Sequence, residues 1–181
     1  AASFLSEASC VWFYQMHDSP LSDPWIQKTS YVWSMKVTFV RHGARRSGSE
    51  DPDLTSFGRK MAQETGAWLA KRNHCPQRIL ATPTRRTVQT AEALLKGCKT
   101  ELPIEKAEVP SEHREWMGFL DGLEGKDDIC IVGHHNTTDM LKGRFSLSFS
   151  SIHYASAIVL KRVSSSEWRC VDTWQGRADL P

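Results

Sequence analysis

The stretch KVTFVRHGARRSG, residues 36–48, passes from an apolar run directly into an arginine, a histidine and a glycine. Its first part, residues 36–40, is rich in β-branched and aromatic side chains and predicts a short buried strand. Three arginines then surround His42 at the end of that strand. Like charges so close together repel, so this arrangement favours a site in which an anion, such as a phosphate group, lies among them.

The order of strand, polar turn and helix recurs along the chain. Three strands lead into helices. Residues 36–40 precede a helix at about 56–72 that is capped by Thr55. Arg78–Ala81 precedes a helix whose apolar face is Val88, Ala91, Leu94 and Leu95, and Ile129–Val132 precedes a brief helix near Asn136. Residues 155–163 and 167–174 predict a closing hairpin. The alternation predicts an α/β fold, a three-layer α/β/α sandwich with a mostly parallel central sheet.

In such sheets the functional site lies beyond the carboxyl ends of the strands. Three of the predicted strands deliver polar pairs to that edge, although the pairs are far apart in the sequence: Arg41 with His42, Arg85 with Arg86, and His134 with His135. Their convergence is the main evidence from the residues themselves for a single anion-binding site.

The chain divides into an N-terminal extension, residues 1–34, and a domain of residues 35–181. The extension carries seven large aromatic side chains, interrupted by prolines and serines. Disordered tails are poor in aromatic residues, so we expect this segment to pack on the domain. It either borders the entrance to the site or braces the domain elsewhere, and the sequence leaves both open.

Composition excludes several function classes. At 181 residues the chain is about one domain long, and its net charge of +2 is too small for a nucleic-acid or membrane-surface protein. The longest early apolar run is far shorter than the roughly 20 residues of a membrane span. Five cysteines without CxxC spacing favour reduced thiols, so we expect a cytoplasmic protein. Its oligomeric state is left open.

The residue types at the predicted site suit phosphoryl transfer. A neutral imidazole is a competent nucleophile near pH 7, and His42 is the best placed to form a covalent phosphoryl intermediate. The planar guanidinium groups of Arg41 and Arg86 match phosphate oxygens, and His134, if protonated, adds a third cation. A metal site is disfavoured, because arginines beside the histidines would repel a cation, and no cofactor is expected.

Four motifs in succession resemble those of the histidine phosphatase, or phosphoglycerate mutase-like, superfamily: RHG from Arg41, LTSFGRKMA from Leu54, TPTRRTVQTAE from Thr82 and IVGHHN from Ile131. The short interval after Glu112 and the closing strand pair are most similar to its small SixA-like branch. The resemblance implies a phosphoglycerate mutase-like fold, His42 as the phosphorylated nucleophile, and a phosphate pocket formed by Arg41, Arg86 and His134.

The chain departs from the family pattern at several positions. An extra arginine, Arg85, precedes Arg86, and His135 follows His134 where the family commonly has a small residue. We favour His134 because it directly follows the strand and Gly133, and we count His135 and Arg45 among the candidate substrate-binding residues. Arg45 and Arg85 could equally be solvated surface charges.

In this superfamily an acidic residue between the arginine motif and the second histidine often protonates the leaving group. Glu112 and Glu115 lie in that interval, and we choose Glu112 because it comes soon after an expected strand end at residues 108–110. The leaving group of a phosphohistidine substrate needs less help from an acid, so the SixA-like branch is also compatible with the absence of a dedicated acid.

The leading hypothesis is a metal-independent phosphatase that works through a phosphohistidine intermediate on a phosphorylated small molecule or a phosphoprotein. A phosphomutase of the same superfamily is the nearest alternative, although only about 47 residues separate Arg86 from His134, which leaves little room for a mutase cap. The third alternative is a catalytically silent module that binds phosphate or protein.

Overall fold

The structure is a computed structural model that describes residues 35–110, 113–148 and 152–176. The aromatic extension, residues 1–34, lies outside the described residues, as does Glu112. The packing and role of the extension therefore stay a prediction.

Ten elements alternate along the described chain. The strands are β1 (Lys36–Arg41), β2 (Arg78–Ala81), β3 (Ile104–Lys106), β4 (Ile129–Gly133), β5 (Ala157–Arg162) and β6 (Trp168–Trp174). The helices are α1 (Ser56–Lys71), α2 (Arg85–Cys98), α3 (His113–Asp121) and α4 (His135–Arg144). The predicted strand–turn–helix order and the closing hairpin are confirmed.

The six strands form one sheet in the order β3-β2-β4-β1-β5-β6. Strands β1 to β4 pair in parallel, and β5 pairs antiparallel with both β1 and β6. The sheet is thus mostly parallel, as predicted. Strand β4 lies between β1 and β2, so the three strand ends that carry the sequence motifs are direct neighbours.

Alternate side chains of each strand enter two separate cores, as the period of two in a strand requires. On one face Phe39, Ile131 and Ile158 pack with Trp116 of α3 and Leu141 of α4. The opposite core is formed by further strand residues with α1 and α2; its buried strand members are Val40, Ile79, Ala81, Cys130, Val132, Ala157 and Val159. Helices on both faces give the predicted three-layer α/β/α sandwich.

Helices α1 and α2 pack with their backbones in close contact. A Cβ atom on Gly66 would lie 2.0 Å from the carbonyl oxygen of Leu94, and one on Gly97 would lie 2.1 Å from that of Gln63. Only glycine fits at such separations. The start of α1 is fixed by Thr55, whose Oγ1 accepts a hydrogen bond from the Gly58 backbone N–H at 2.9 Å, which confirms the predicted cap.

Two elements differ from the sequence-based expectation. The strand expected to end at residues 108–110 is only three residues long and ends at Lys106, so residues 108–110 lie in the following loop. It is an edge strand with two exposed side chains, Glu105 and Lys106, so it carries little apolar signal. Helix α3 was not predicted, although Trp116 and Leu120, four residues apart, form its buried face.

No helix in residues 35–110, 113–148 and 152–176 has the length and apolar character of a membrane span.

Candidate active site

Three neighbouring strand ends bring the predicted site residues together. His42 follows β1 and donates its backbone N–H to the carbonyl oxygen of Gly133 at 3.0 Å. Thr82 follows β2 and donates its backbone N–H to the carbonyl oxygen of Val132 at 3.2 Å. His134 follows β4 and caps α4. These bonds continue the parallel ladder by one residue, so the two histidines lie side by side where the sheet ends.

The His42 imidazole is held in one tautomer. The side chain is 6% exposed, and its Nδ1 lies 2.9 Å from the carbonyl oxygen of Gly43. Because a carbonyl oxygen can only accept, Nδ1 must carry the proton, and the neutral ring keeps its lone pair on Nε2. Gly43 is itself fixed, since its N–H donates to Thr90 Oγ1 at 3.0 Å and a Cβ atom there would lie 2.4 Å from the carbonyl oxygen of Gly58.

The surroundings of His42 favour its neutral form. Its pKa is lowered from 6.5 to about 4, mainly by burial; the hydrogen bond to the Gly43 carbonyl opposes this shift, and electrostatic repulsion from His134, Arg86 and Arg41 adds to it. At neutral pH the ring is therefore an unprotonated nucleophile that needs no separate base.

The shifted pKa of His42 predicts a pH-dependent stability. The unfolded chain takes up the proton near pH 6.5 and the folded chain only near pH 4, so the stabilising contribution is complete above 6.5 and is lost as the pH falls towards 4. The free energy of unfolding should fall by about 3 kcal/mol over this window through His42 alone. Urea unfolding of wild type and His42→Gln at several pH values measures it; equal pH slopes for the two proteins would contradict the prediction.

The His134 ring lies next to the His42 ring. Their ring centroids are 5.5 Å apart at an angle of 69°, and His134 Nε2 lies 3.1 Å from Thr82 Oγ1. Burial, followed by the charge of Arg86, lowers the pKa of His134, while Asp51 raises it. In the free protein His134 is therefore neutral at neutral pH. Its neighbour His135 is exposed at the first turn of α4, so His134 is the histidine adjacent to His42.

Arg41 lines the same cleft as His42, and its guanidinium group is anchored by two contacts. Its Nη1 donates to the carbonyl oxygen of Ile152, and its guanidinium carbon lies 4.2 Å from the centroid of the Tyr154 ring. The same tyrosine ring lies 5.6 Å from the His42 ring. The Nε of Arg41 is buried and has no hydrogen-bond partner among the described residues. Tyr154 therefore orients both the histidine and one of the flanking cations.

The two arginines at the start of α2 have different surroundings. Arg86 is partly buried, with 18% of its side chain exposed, and its Nη1 lies 3.3 Å from Asp51 Oδ1. Arg85 is exposed and pairs with Asp53, with Nη2 2.9 Å from Oδ1. Of the two, only Arg86 lines the cleft around His42.

The cleft itself has a volume of about 430 Å³. Its lining combines guanidinium groups, imidazole rings and hydroxyl groups: Arg41, His42, Arg45, Ser49, Glu50, Arg86, His134, His135, Asn136 and Tyr154. The amino terminus of α4 contributes His135 and Asn136, and its backbone dipole adds to the positive potential. Six of the seven predicted site residues therefore line one cleft suited to an anion.

The structure does not test the predicted proton donor. Glu112 lies outside the described residues, and Glu115 is exposed on α3 and does not line the cleft. Glu50 lines it instead, and Asp51 contacts Arg86. Both lie in the loop between β1 and α1, together with Asp53, and neither belongs to a motif. Within the described ranges, no cluster of three or more histidine, cysteine or acidic residues could hold a metal ion.

Comparison with known proteins agrees with this architecture. A family model described as the histidine phosphatase superfamily (branch 1) matches residues 37–118, which contain the first three motifs. No curated protein matches the sequence at a significant level. The resemblance predicted from the motifs is thereby confirmed at the superfamily level.

Solved structures with the same fold include three phosphatases. The protein histidine phosphatase SixA complexed with tungstate is 18% identical, with a TM-score of 0.64 over 78% of this chain and 97% of that chain. A mycobacterial glucosyl-3-phosphoglycerate phosphatase complexed with VO3 is 18% identical, with a TM-score of 0.56 over 80% and 100%. A phosphoserine phosphatase from Entamoeba histolytica is 14% identical, with a TM-score of 0.57 over 77% and 96%. At these identities the likeness shows the fold.

Proposed function

We propose that this chain, which matches the histidine phosphatase superfamily in its motifs, family model and fold, is a metal-independent phosphatase that uses His42 as a covalent nucleophile. The observation that carries the proposal is the state of His42: a buried, neutral imidazole with its proton on Nδ1, next to Arg41 and Arg86. A structural histidine would need neither a free ring nitrogen nor flanking guanidinium groups. An enzyme of the phosphatase type is the function that the family match and the solved neighbours support.

The reaction begins with binding of the substrate phosphate between the guanidinium groups of Arg41 and Arg86. These cations neutralise the equatorial oxygens while His42 Nε2 attacks phosphorus. The bond from phosphorus to Nε2 forms as the bond to the leaving oxygen breaks, and the leaving alkoxide takes a proton from an acid. The fixed Nδ1–H bond to the Gly43 carbonyl stabilises the positive charge that develops on the ring.

The second step releases phosphate. Water attacks phosphorus from the side opposite Nε2, the bond between phosphorus and nitrogen breaks, and the electron pair returns to the ring. The water proton passes to the group that acted as the acid in the first step. The same cations stabilise both transition states, because the equatorial oxygens stay in place throughout.

Substrate binding draws on further residues of the cleft. Arg45 and His135 are exposed on its rim and are proposed to contact the part of the substrate beyond the phosphate. His134 is neutral in the free protein, and a bound dianion would favour its protonated form, so we propose that it becomes the third cation only in the complex. We propose that the substrate is a phosphorylated small molecule or a phosphoprotein.

Two of the neighbours with this fold are phosphatases that hold an oxyanion. SixA is a protein histidine phosphatase and holds tungstate, and the mycobacterial phosphatase holds VO3. Both anions resemble phosphate. Similar oxyanions are therefore proposed as ligands of this cleft, and inorganic phosphate as its product.

A turnover screen tests the proposal. Small phosphoesters and a phosphohistidine protein are offered to the full chain in the presence of chelator, and released phosphate is measured. We expect hydrolysis of at least one substrate that survives chelation. Strict dependence on an added metal ion would contradict the mechanism, and accumulation of an isomeric phosphate ester in place of free phosphate would favour a phosphomutase.

The cytoplasmic location of the protein stays a prediction.

Glu112 remains our proposed proton donor. An alkoxide is a poor leaving group without a proton, whereas an aryl oxide leaves readily. Glu112→Gln should therefore lower kcat/KM on alkyl phosphates by about 10²- to 10⁴-fold, the usual contribution of general acid catalysis, and have little effect on an activated aryl phosphate.

Two matched variants accompany that measurement. Glu115→Gln changes an exposed carboxylate on α3 away from the cleft, and Glu50→Gln changes one that lines it. We expect neither to show the selective loss on alkyl phosphates. A selective loss in Glu50→Gln with normal turnover by Glu112→Gln would transfer the acid role to Glu50.

A further inference from the structure

Asp51 places a carboxylate on the guanidinium group that is proposed to bind phosphate. Its Oδ1 lies 3.3 Å from Arg86 Nη1, and it is close enough to His134 to raise the pKa of that ring. No sequence motif includes Asp51. The free protein thus already holds an anionic group beside Arg86 of the anion-binding cleft.

The carboxylate is tethered where it lies. Both of its oxygens accept from the backbone N–H of Arg85, each at 3.0 Å, at the first residue of α2. The two ends of the loop that carries Asp51 are held together by backbone contacts. Arg45 and Leu54 form an isolated antiparallel bridge, and the Arg46 N–H donates to the Asp53 carbonyl oxygen at 2.9 Å. Asp51 therefore stays within reach of Arg86 when a ligand enters.

The contact with Arg86 is the longest of the hydrogen bonds that Asp51 makes with described residues. At 3.3 Å it is longer than the usual 2.7–2.9 Å of a charge-assisted hydrogen bond, and 41% of the Asp51 side chain is exposed. A phosphate dianion presents more charge and more acceptor oxygens to the same guanidinium. It can replace the carboxylate at Nη1 without removing Asp51 from the helix terminus.

We propose that Asp51 is an internal competitor of phosphate: it occupies Arg86 in the free enzyme, yields that arginine to the substrate phosphate, and takes it back as inorganic phosphate leaves. This inference rests on the proposed function and extends it to the regulation of binding and product release. The displaced carboxylate remains beside the bound dianion and repels it. Asp51 thereby weakens the binding of both substrate phosphate and product phosphate and limits product inhibition.

The test compares two substitutions that each remove one negative charge from the same loop. Asp51→Asn keeps an amide oxygen that can accept from the Arg85 N–H but removes the charge beside Arg86. Asp53→Asn is the matched control, because Asp53 contacts Arg85 and Gln89 and not Arg86. The dissociation constant of inorganic phosphate, from calorimetry, and the inhibition constants of phosphate and orthovanadate are measured for the full chain.

Asp51→Asn should bind phosphate and vanadate about fivefold more tightly than wild type, the change that corresponds to a partly exposed ion pair. Asp53→Asn should differ from wild type by less than about twofold, as expected for a change with no direct contact. If Asp51→Asn folds poorly, Asp51→Ser supplies an uncharged cap for the same measurement. Circular dichroism melting verifies the fold of every variant.

Weaker or unchanged phosphate binding by Asp51→Asn, with wild type binding normally, would overturn the inference alone, and weaker binding would assign Asp51 to positioning Arg86. An equal gain in Asp53→Asn would also overturn it, because the effect would then be the loop's general charge. Wild-type protein that neither binds these anions nor releases phosphate would overturn the proposed function as well.

Discussion

His42→Ala should lose at least about 10⁴-fold in kcat on every phosphorylated substrate, because removal of a covalent nucleophile leaves only binding and charge stabilisation. Of the three histidines that line the described cleft, His42 is buried, whereas His134 is partly exposed and His135 is exposed. His134, the adjacent histidine, has its Nε2 3.1 Å from Thr82 Oγ1, so it is not poised to substitute. The measurement is the release of inorganic phosphate under saturating substrate.

The control for this variant is His74→Ala. His74 lies near Lys36, at the opposite end of β1 from His42, and interacts with Asp172 at 3.4 Å. Its loss should lower stability and leave kcat unchanged. His42→Ala should also still bind phosphate, since the flanking arginines remain. A His42→Ala protein that is folded, binds phosphate and retains more than a few per cent of the wild-type kcat would contradict the assignment.

The second large effect concerns the choice between two adjacent arginines. Arg86→Ala should lower kcat/KM by about 10²- to 10³-fold, the usual cost of removing one preorganised donor to transition-state charge. Arg85→Ala should change it by less than about twofold, because its guanidinium pairs with Asp53 at the surface and does not line the cleft. Near-normal kcat/KM in Arg86→Ala with a large loss in Arg85→Ala would reverse the assignment.

Arg86→Lys refines this comparison. Lysine retains the charge but lacks the planar fork that matches two phosphate oxygens. It should therefore recover part of the activity that Arg86→Ala loses. Full recovery would mean that Arg86 contributes charge alone, and that its geometry does not matter for turnover.

The sheet could be predicted from the sequence because its central strands carry strong local signals. Residues 36–41, 78–81 and 129–133 are short apolar runs that end at polar turns, and each is followed by a helical pattern. Once the parallel order is assumed, the carboxyl ends must meet at one edge. The sequence alone therefore predicts a common site for the residues that follow those ends, which are Arg41, His42, Arg86 and His134.

The peripheral elements could not be predicted in the same way. Strand β3 is an edge strand of three residues, two of them charged and exposed, so its pairing with β2 depends on tertiary context. Helix α3 has nine residues, and its signal consists of little more than Trp116 and Leu120. A pattern so short does not distinguish a helix from a loop.

The residues that contact Arg86 and Arg41 in the site also could not be identified from the sequence. Asp51 is 35 residues from Arg86 along the chain, and Arg41 is 111 residues from the Ile152 carbonyl that anchors it. Tyr154 lies on a turn before β5, in no motif. These contacts arise only when the loops at the strand ends fold over the cleft, and no periodicity or local composition encodes such pairings.

The central claim is that a phosphoryl group passes through Nε2 of His42, and trapping the intermediate tests it most directly. Enzyme and labelled substrate are mixed, quenched in alkali during the first turnover, digested and mapped by mass spectrometry. The account predicts a phosphoryl group on the peptide that contains His42, stable in alkali and released by acid, and absent from His42→Ala. Label on any other residue, or rapid turnover with no phosphoenzyme at any quench time, would contradict it.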